Sequence, residues 1–221
     1  MSNRPILYLG NKNYSSWSMR PWLALRWAGI DFEERVIPLG MDGYGKSVVP
    51  EILAASPSGR VPCLDLGGEK IWDSMAICEW AAEQKPDLWP ADPMARAMAR
   101  SAAAEMHAGF SALRRELPMN VRRRAGARAI GADAQGDIER IVDLWTGLRA
   151  RFEGGGIFLF GQRGIADAFY APIATRFRTY AVGLPQIAEM YCQTLLADPE
   201  VAAWNEGAEQ EAWSLEAVDA F

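Results

Sequence analysis

The chain is predicted to join an α/β unit to an all-α unit, with the α/β unit first. Strand-like and helix-like stretches alternate through residue 84. Residues 85–93, Lys-Pro-Asp-Leu-Trp-Pro-Ala-Asp-Pro, then bring three prolines and two aspartates into one short segment, the composition of a connection. Beyond it strand signals almost vanish. The expected division is therefore 1–84, a linker at 85–93, and a helical unit over 94–221.

The elements follow in order. Residues 6–9, Ile-Leu-Tyr-Leu, read as a strand, and 16–28 as a helix ending at Gly29. Residues 33–37 read as a second strand. Residues 61–66 and 70–72 read as a close pair joined by Gly67-Gly68, a dipeptide suited to a hairpin. A helix follows over 74–83, with Ile77, Trp80 and Ala81 at helical spacing. The order β-α-β and then β-β-α points to a small mixed sheet with helices packed on it. In the second unit, 94–117 is rich in Ala and Met with few breakers and reads as one helix. Further helices are expected over 135–152, 165–180, 186–196 and 199–206.

Bulk composition excludes several classes. Half of the residues are hydrophobic and 23% are charged, as in an ordinary globular protein. A net charge of -5 gives no reason to expect nucleic acid as a partner. The local basic clusters, Arg114-Arg115 and Arg122-Arg123-Arg124 with Arg128, read as solvated helix faces. Cys63, Cys78 and Cys192 are odd in number and lack a CxxC pair, so neither a disulfide framework nor a metal site is expected. The N-terminal residues hold no long apolar run, and nothing approaches the ~20 residues of a membrane span. A cytoplasmic location without a membrane partner is the expectation.

Tyr14-Ser15-Ser16-Trp17-Ser18-Met19-Arg20-Pro21-Trp22 is the densest motif. Three hydroxyls sit between a strand and a helix, where a serine oxygen can accept an orphan backbone N–H. Pro21 suits the first turn of a helix, which does not need its missing donor. Taken alone, the segment is a well-capped helix start.

Other segments give it a second meaning. An α/β half, a short linker and a helical half resemble the cytosolic glutathione transferases, whose first half is thioredoxin-like. The stretch 14–20 is similar to the SSCSWR stretch of the zeta class, the maleylacetoacetate isomerase group. Ser56-Pro57-Ser58-Gly59-Arg60-Val61-Pro62 resembles that family's NP-x-x-x-VP segment. Asp73-Ser74 matches the acidic-or-amide-then-Ser pair that opens the third helix. Gly164-Ile165-Ala166-Asp167 falls where the family has an S/T-x-A-D capping box. The resemblance covers essentially the whole chain.

It implies that glutathione, as co-substrate, lies across the carboxyl end of the sheet with its thiol at the Ser-rich turn. Ser15 matches the family's thiol-activating position, with Ser16 next to it; Tyr8 and Tyr14 are further alternatives. An ordinary thiol has a pKa of about 8.5, and lowering it by about two units takes roughly 2.7 kcal/mol. A helix N-terminus offers about 0.3–1 kcal/mol, up to ~2 when partly buried. A hydroxyl hydrogen bond to the thiolate adds about 1.5–3 kcal/mol. Together they suffice, and the serine acts as a donor, not a nucleophile.

The resemblance also implies that Val61-Pro62 is a cis turn presenting Val61 backbone groups to the cysteinyl part of glutathione. Read alone, that proline simply opens a strand. By the same resemblance Asp73 and Ser74 hold the γ-glutamyl end, or else act only as a helix cap, and Arg60 pairs with a glutathione carboxylate. Trp17 stands where the zeta class has cysteine, which argues against disulfide exchange; it either walls the electrophile pocket or joins the core. Asp167 is expected to cap its helix, with only half of the capping box because Gly164 has no side chain. His107, with no evident Asp or Ser partner, is left out of the site.

The expected activity is a glutathione transferase that conjugates small electrophiles and works as a homodimer. A zeta-like isomerase is the second reading, although Thr179 fills the slot of the isomerases' substrate-binding arginine, with Arg176 and Arg178 nearby. A non-catalytic transferase-like module is the third.

Overall fold

The computed structural model describes residues 4–40 and 50–220. Strand β1 (Ile6–Gly10) leads into helix α1 (Ser16–Trp27) and returns as β2 (Glu33–Ile37). After α2 (Pro50–Ala55) come β3 (Cys63–Asp65), β4 (Lys70–Ile71) and α3 (Ser74–Gln84). The sheet order is β2-β1-β3-β4. β1 and β2 are parallel, as a helical crossover requires. β3 runs antiparallel to β1 with Tyr8 opposite Cys63, and β4 antiparallel to β3 with Leu64 opposite Ile71. The hairpin glycines Gly67 and Gly68 both have positive φ, at 79° and 113°.

That register positions three segments at one edge. β3 enters beside the carboxyl end of β1, so Val61-Pro62 lies next to the turn leading into α1. β4 runs in the direction of β1, so it too exits at that edge, into Asp73-Ser74.

Beyond α3 the regular elements of the described residues are helices, apart from short bridges at 158–162. A 3-10 turn at Pro86–Leu88 precedes α4 (Pro93–Ala108) and α5 (Ser111–Glu116). Then come α6 (Ala132–Phe152), α7 (Ile165–Thr179), α8 (Gln186–Leu196), α9 (Pro199–Gln210) and α10 (Glu216–Asp219). The single helix expected over 94–117 is in fact two. The chain breaks at Gly109-Phe110, where Phe110 takes a left-handed φ of 59° and buries its ring to 7% exposure. Pro21 also differs from its expected place. It lies inside α1, one turn deeper than the first, and its missing N–H leaves the Trp17 carbonyl without its ladder partner.

Helix α7 is the axis of the molecule, with nearly every residue buried, Asp167, Thr175 and Arg176 included. Trp145 of α6 makes edge contacts with Tyr170, Phe177 and Tyr191 at ring distances of 5.8, 5.5 and 4.9 Å. One hydrophobic cluster runs from Leu7 and Leu9 in the sheet, through α1 and α7, to Trp204 in α9. Cys63, Cys78 and Cys192 are free and buried, and burial raises all three thiols, Cys192 to about 12. They are therefore poor nucleophiles. Among the described residues no helix is long and apolar enough to cross a membrane.

Candidate active site

The site begins at the first turn of α1. Ser15 is its N-cap: the hydroxyl accepts from the Ser18 N–H at 3.3 Å and donates to Ser18 Oγ at 2.8 Å. Ser18 Oγ in turn accepts from the Gly10 N–H at 3.0 Å. The hydroxyls thus tie the end of β1 to the start of α1. Ser16 is engaged differently: its Oγ accepts from Arg176 Nη2 of α7 at 3.2 Å. Ser15 and Ser16 are both buried within the fold, at 5% and 4% exposure.

Around this turn lies positive charge with little to oppose it. Arg20 is fully buried, and none of its guanidinium nitrogens has a protein hydrogen-bond partner. It lies between the rings of Trp17 and Phe169, at 4.5 and 4.7 Å. Arg114 approaches Trp17 to 4.8 Å, so Arg20 and Arg114 share one aromatic ring. Burial lowers the pKa of Arg20, and repulsion from Arg114 and Arg176 lowers it further. Burial, aided by Arg114, brings Arg176 down to about 9. The groups that press on both of them are themselves cations. Trp17, 39% exposed, covers this cluster and is not a buried core residue.

Asp73 and Ser74 open α3. Asp73 Oδ1 accepts from the Met75 N–H at 2.9 Å, which makes it the N-cap. The Ser74 hydroxyl is buried and without a protein partner. His107 of α4, which offered no partner in the sequence, places Nε2 3.1 Å from Asp73 Oδ2 and its ring edge-on to Trp17 at 5.2 Å. Burial lowers the His107 pKa, and Arg20 and Arg114 add to this against the pull of Asp73. Through Trp17 and His107 the two helix starts become one contiguous site.

The Val61-Pro62 peptide is cis, as is Trp72-Asp73. Val61 and Pro62 are buried at the sheet edge, and the Arg60 side chain is exposed. Tyr8 turns toward Arg35 and Lys70, not toward the serines. The Tyr14 hydroxyl is spoken for by Asp219, Arg122 and the Leu215 N–H. Thr179 donates to the Asn120 carbonyl at 2.9 Å and is fully buried. Asp167 accepts from the Gly164 N–H at 2.9 Å, the Leu159 N–H at 3.1 Å and Tyr191 at 2.8 Å. That is the half capping box. Glycine is required at 164 because a Cβ there would stand 2.5 Å from the Leu88 carbonyl oxygen. A cavity of ≈ 880 Å³ touches Gly164 and Asp167, but neither helix start lines it.

Sequence reasoning did not find Arg20, Arg114 and Arg176 as a group. Their spacing carries no signal, since they come from α1, α5 and α7 and meet only in the fold.

The chain is similar to several known proteins. Residues 14–84 match the family model "Glutathione S-transferase, N-terminal domain". The maleylacetoacetate isomerase of Pseudomonas aeruginosa is 31% identical over 80% of this chain and 84% of its own. A probable maleylacetoacetate isomerase of Caenorhabditis elegans is 35% identical over 51% of each chain, and the mouse enzyme 36% over the same share. The match thus spans about half the length of these two curated relatives. Among solved structures, a glutathione transferase homologue from Burkholderia GL BGR1, determined with bound glutathione, superposes with a TM-score of 0.71. That likeness covers 95% of this chain and 100% of the other at 23% identity, and it shows the fold, a thioredoxin-like unit followed by a helical one. By its N-terminal family match and its likeness to the Pseudomonas enzyme along most of both chains, the chain belongs to the glutathione S-transferase family, in its zeta-like, maleylacetoacetate isomerase-related branch.

Proposed function

We propose that this chain is a glutathione-dependent enzyme that holds the glutathione thiol as a thiolate at the Ser15-Ser16 turn and adds it to a small electrophile. The observation that carries this reading is the environment of the turn. A helix N-terminus and a serine hydroxyl face the same spot, backed by the buried cations Arg176 and Arg20. Such surroundings favour an anion, and thiolate is the reactive form of the thiol. At the neighbouring helix start, Asp73 accepts from the γ-glutamyl ammonium. The free N–H groups and the unpartnered Ser74 hydroxyl take its carboxylate. Val61 pairs its backbone with the cysteinyl residue, and Arg60 reaches a carboxylate. A homodimer acting in the cytoplasm belongs to the same proposal, and sedimentation of the pure protein tests the dimer.

In conjugation the thiolate forms a C–S bond, and the electron pair leaves with a leaving group or is quenched by a proton. The second reading is isomerisation. Several relatives bear that name, including a maleylpyruvate isomerase of Ralstonia sp, 30% identical over 78% of this chain and 85% of its own. There the thiolate adds to a cis double bond, the electrons move onto the conjugated carbonyl, the single bond rotates, and elimination returns the thiolate. Thr179 has no free hydroxyl hydrogen for such a substrate, but Arg176, one turn earlier on α7, faces the site.

One experiment separates the readings. The protein is incubated with glutathione and either a halonitroaromatic or a cis-enone dicarboxylate. Conjugation consumes glutathione one for one; isomerisation turns over many equivalents with none consumed. Retention on a glutathione column with neither reaction would favour the non-catalytic module.

A further inference from the structure

We infer that Arg176 is a positioning residue that orients the Ser16 hydroxyl toward the glutathione sulfur and so makes Ser16 the principal thiol donor. The inference rests on the reading of the turn as a glutathione thiol site and goes beyond it.

A hydroxyl has one hydrogen to give. That of Ser15 is directed at Ser18 Oγ, 2.8 Å away, within a network that also satisfies the Gly10 N–H. Moving it to a ligand would break the Ser15–Ser18 hydroxyl bond at the start of α1. Ser16 is in the opposite situation. Its oxygen accepts from a guanidinium, which can only donate. The Ser16 hydrogen must therefore point elsewhere, and among the described residues no protein acceptor receives it. Accepting from a cation also polarises the O–H and makes it a stronger donor.

Arg176 is held for this task. Nε donates to the Leu117 carbonyl at 2.9 Å and Nη1 to the Pro172 carbonyl at 3.2 Å, which leaves Nη2 for Ser16. Those carbonyl contacts neutralise none of its charge, and the charged group that acts on it most, Arg114, is another cation. A thiolate beside Ser16 would be the missing counter-charge. The contact spans 160 residues, so the helical half of the chain sets the acidity of a thiol bound largely by the other half.

The test is an ultraviolet titration of the thiolate of bound glutathione, with kcat and KM measured alongside, in the full-length protein. Ser16→Ala is expected to raise the bound thiol's pKa by about one to two units, and Ser15→Ala by less than half as much. Arg176→Gln is expected to raise it by about one unit, a tenfold loss of thiolate at neutral pH, with kcat falling more than KM rises. In the Ser16→Ala background the same change should have at most half that effect, because the two residues act through one bond. A larger effect from Ser15→Ala than from Ser16→Ala, or an undiminished Arg176→Gln effect in the double variant, overturns the inference. Should Arg176→Gln fail to fold, Arg176→Lys replaces it. Lysine keeps the charge but cannot serve Ser16, Leu117 and Pro172 at once, so a rise of about half a unit is expected. An unchanged pKa in folded Arg176→Lys overturns the inference. Wild-type protein that binds no glutathione defeats the transferase reading itself. Wild type that lowers the thiol pKa while Ser16→Ala does so equally well defeats this inference alone.

Discussion

Asp73 has two tasks, and a single substitution can separate them. Its carboxylate caps α3 through the Met75 N–H, and the proposed function has it accept from the glutathione ammonium. Asparagine caps a helix about as well as aspartate but carries no charge. Asp73→Asn is therefore expected to leave the melting temperature nearly unchanged while raising KM for glutathione about tenfold, the worth of about 1.4 kcal/mol. A matched fall in stability would make Asp73 only a cap. Ser18 gives the converse case. Ser18→Ala removes the acceptor of the Gly10 N–H and of Ser15, so urea unfolding should show a loss of about 1–3 kcal/mol. At this scale the sequence reveals what is local. Ser15, Pro62, Asp73 and Ser74 stand in short motifs whose chemistry reads from adjacent residues. His107 and Arg176 do not, because Asp73 and Ser16 come to them from other elements.

Helix α7 shows how an element can carry a buried carboxylate at some expense. Asp167 is enclosed, and burial raises its pKa from the ordinary 3.8 to about 6, despite donors from Leu159, Tyr191 and Gly164 that favour the charged form. The folded state thus binds the proton more tightly than the unfolded one. Between about pH 4 and 6 this group makes the protein less stable as pH rises, and above 6 its cost, on the order of 3 kcal/mol, is fully present. Asp167→Asn has no such titration, and its one carbonyl oxygen cannot serve three donors. Chemical denaturation at pH 5 and pH 7 should find the variant less stable than wild type, with the larger gap at pH 5. A gap that is larger at pH 7 would reverse the assignment. The element plan was largely legible, since periodicity and breakers mark β1, α1, α3 and α7 directly. The split of α4 from α5 was missed because it depends on Phe110 adopting a left-handed turn to bury its ring, which spacing does not record.

At the scale of the whole molecule, the last described residues return to the first helix. Glu211 accepts from the N–H groups of Lys12 and Asn13 at 2.6 and 3.1 Å, and Asp219 accepts from the Tyr14 hydroxyl and from Asn120. Arg122 fastens the same stretch through the carbonyls of Glu211 and Trp213. The loop that aims Ser15 and Ser16 is thus braced by a segment about two hundred residues later, a contact no local pattern announces. A chain stopped after Gln210 should show faster amide exchange over residues 12–16 and at least tenfold lower kcat/KM toward glutathione. Unchanged exchange would make the brace incidental. All of these parts serve one claim, that the start of α1 holds a thiolate. The direct measurement is the pKa of glutathione bound to the wild-type protein, read from its thiolate absorbance. A value about two units below the ~8.5 of an ordinary thiol is expected; a bound thiol that titrates like the free one would contradict a thiolate held at this turn.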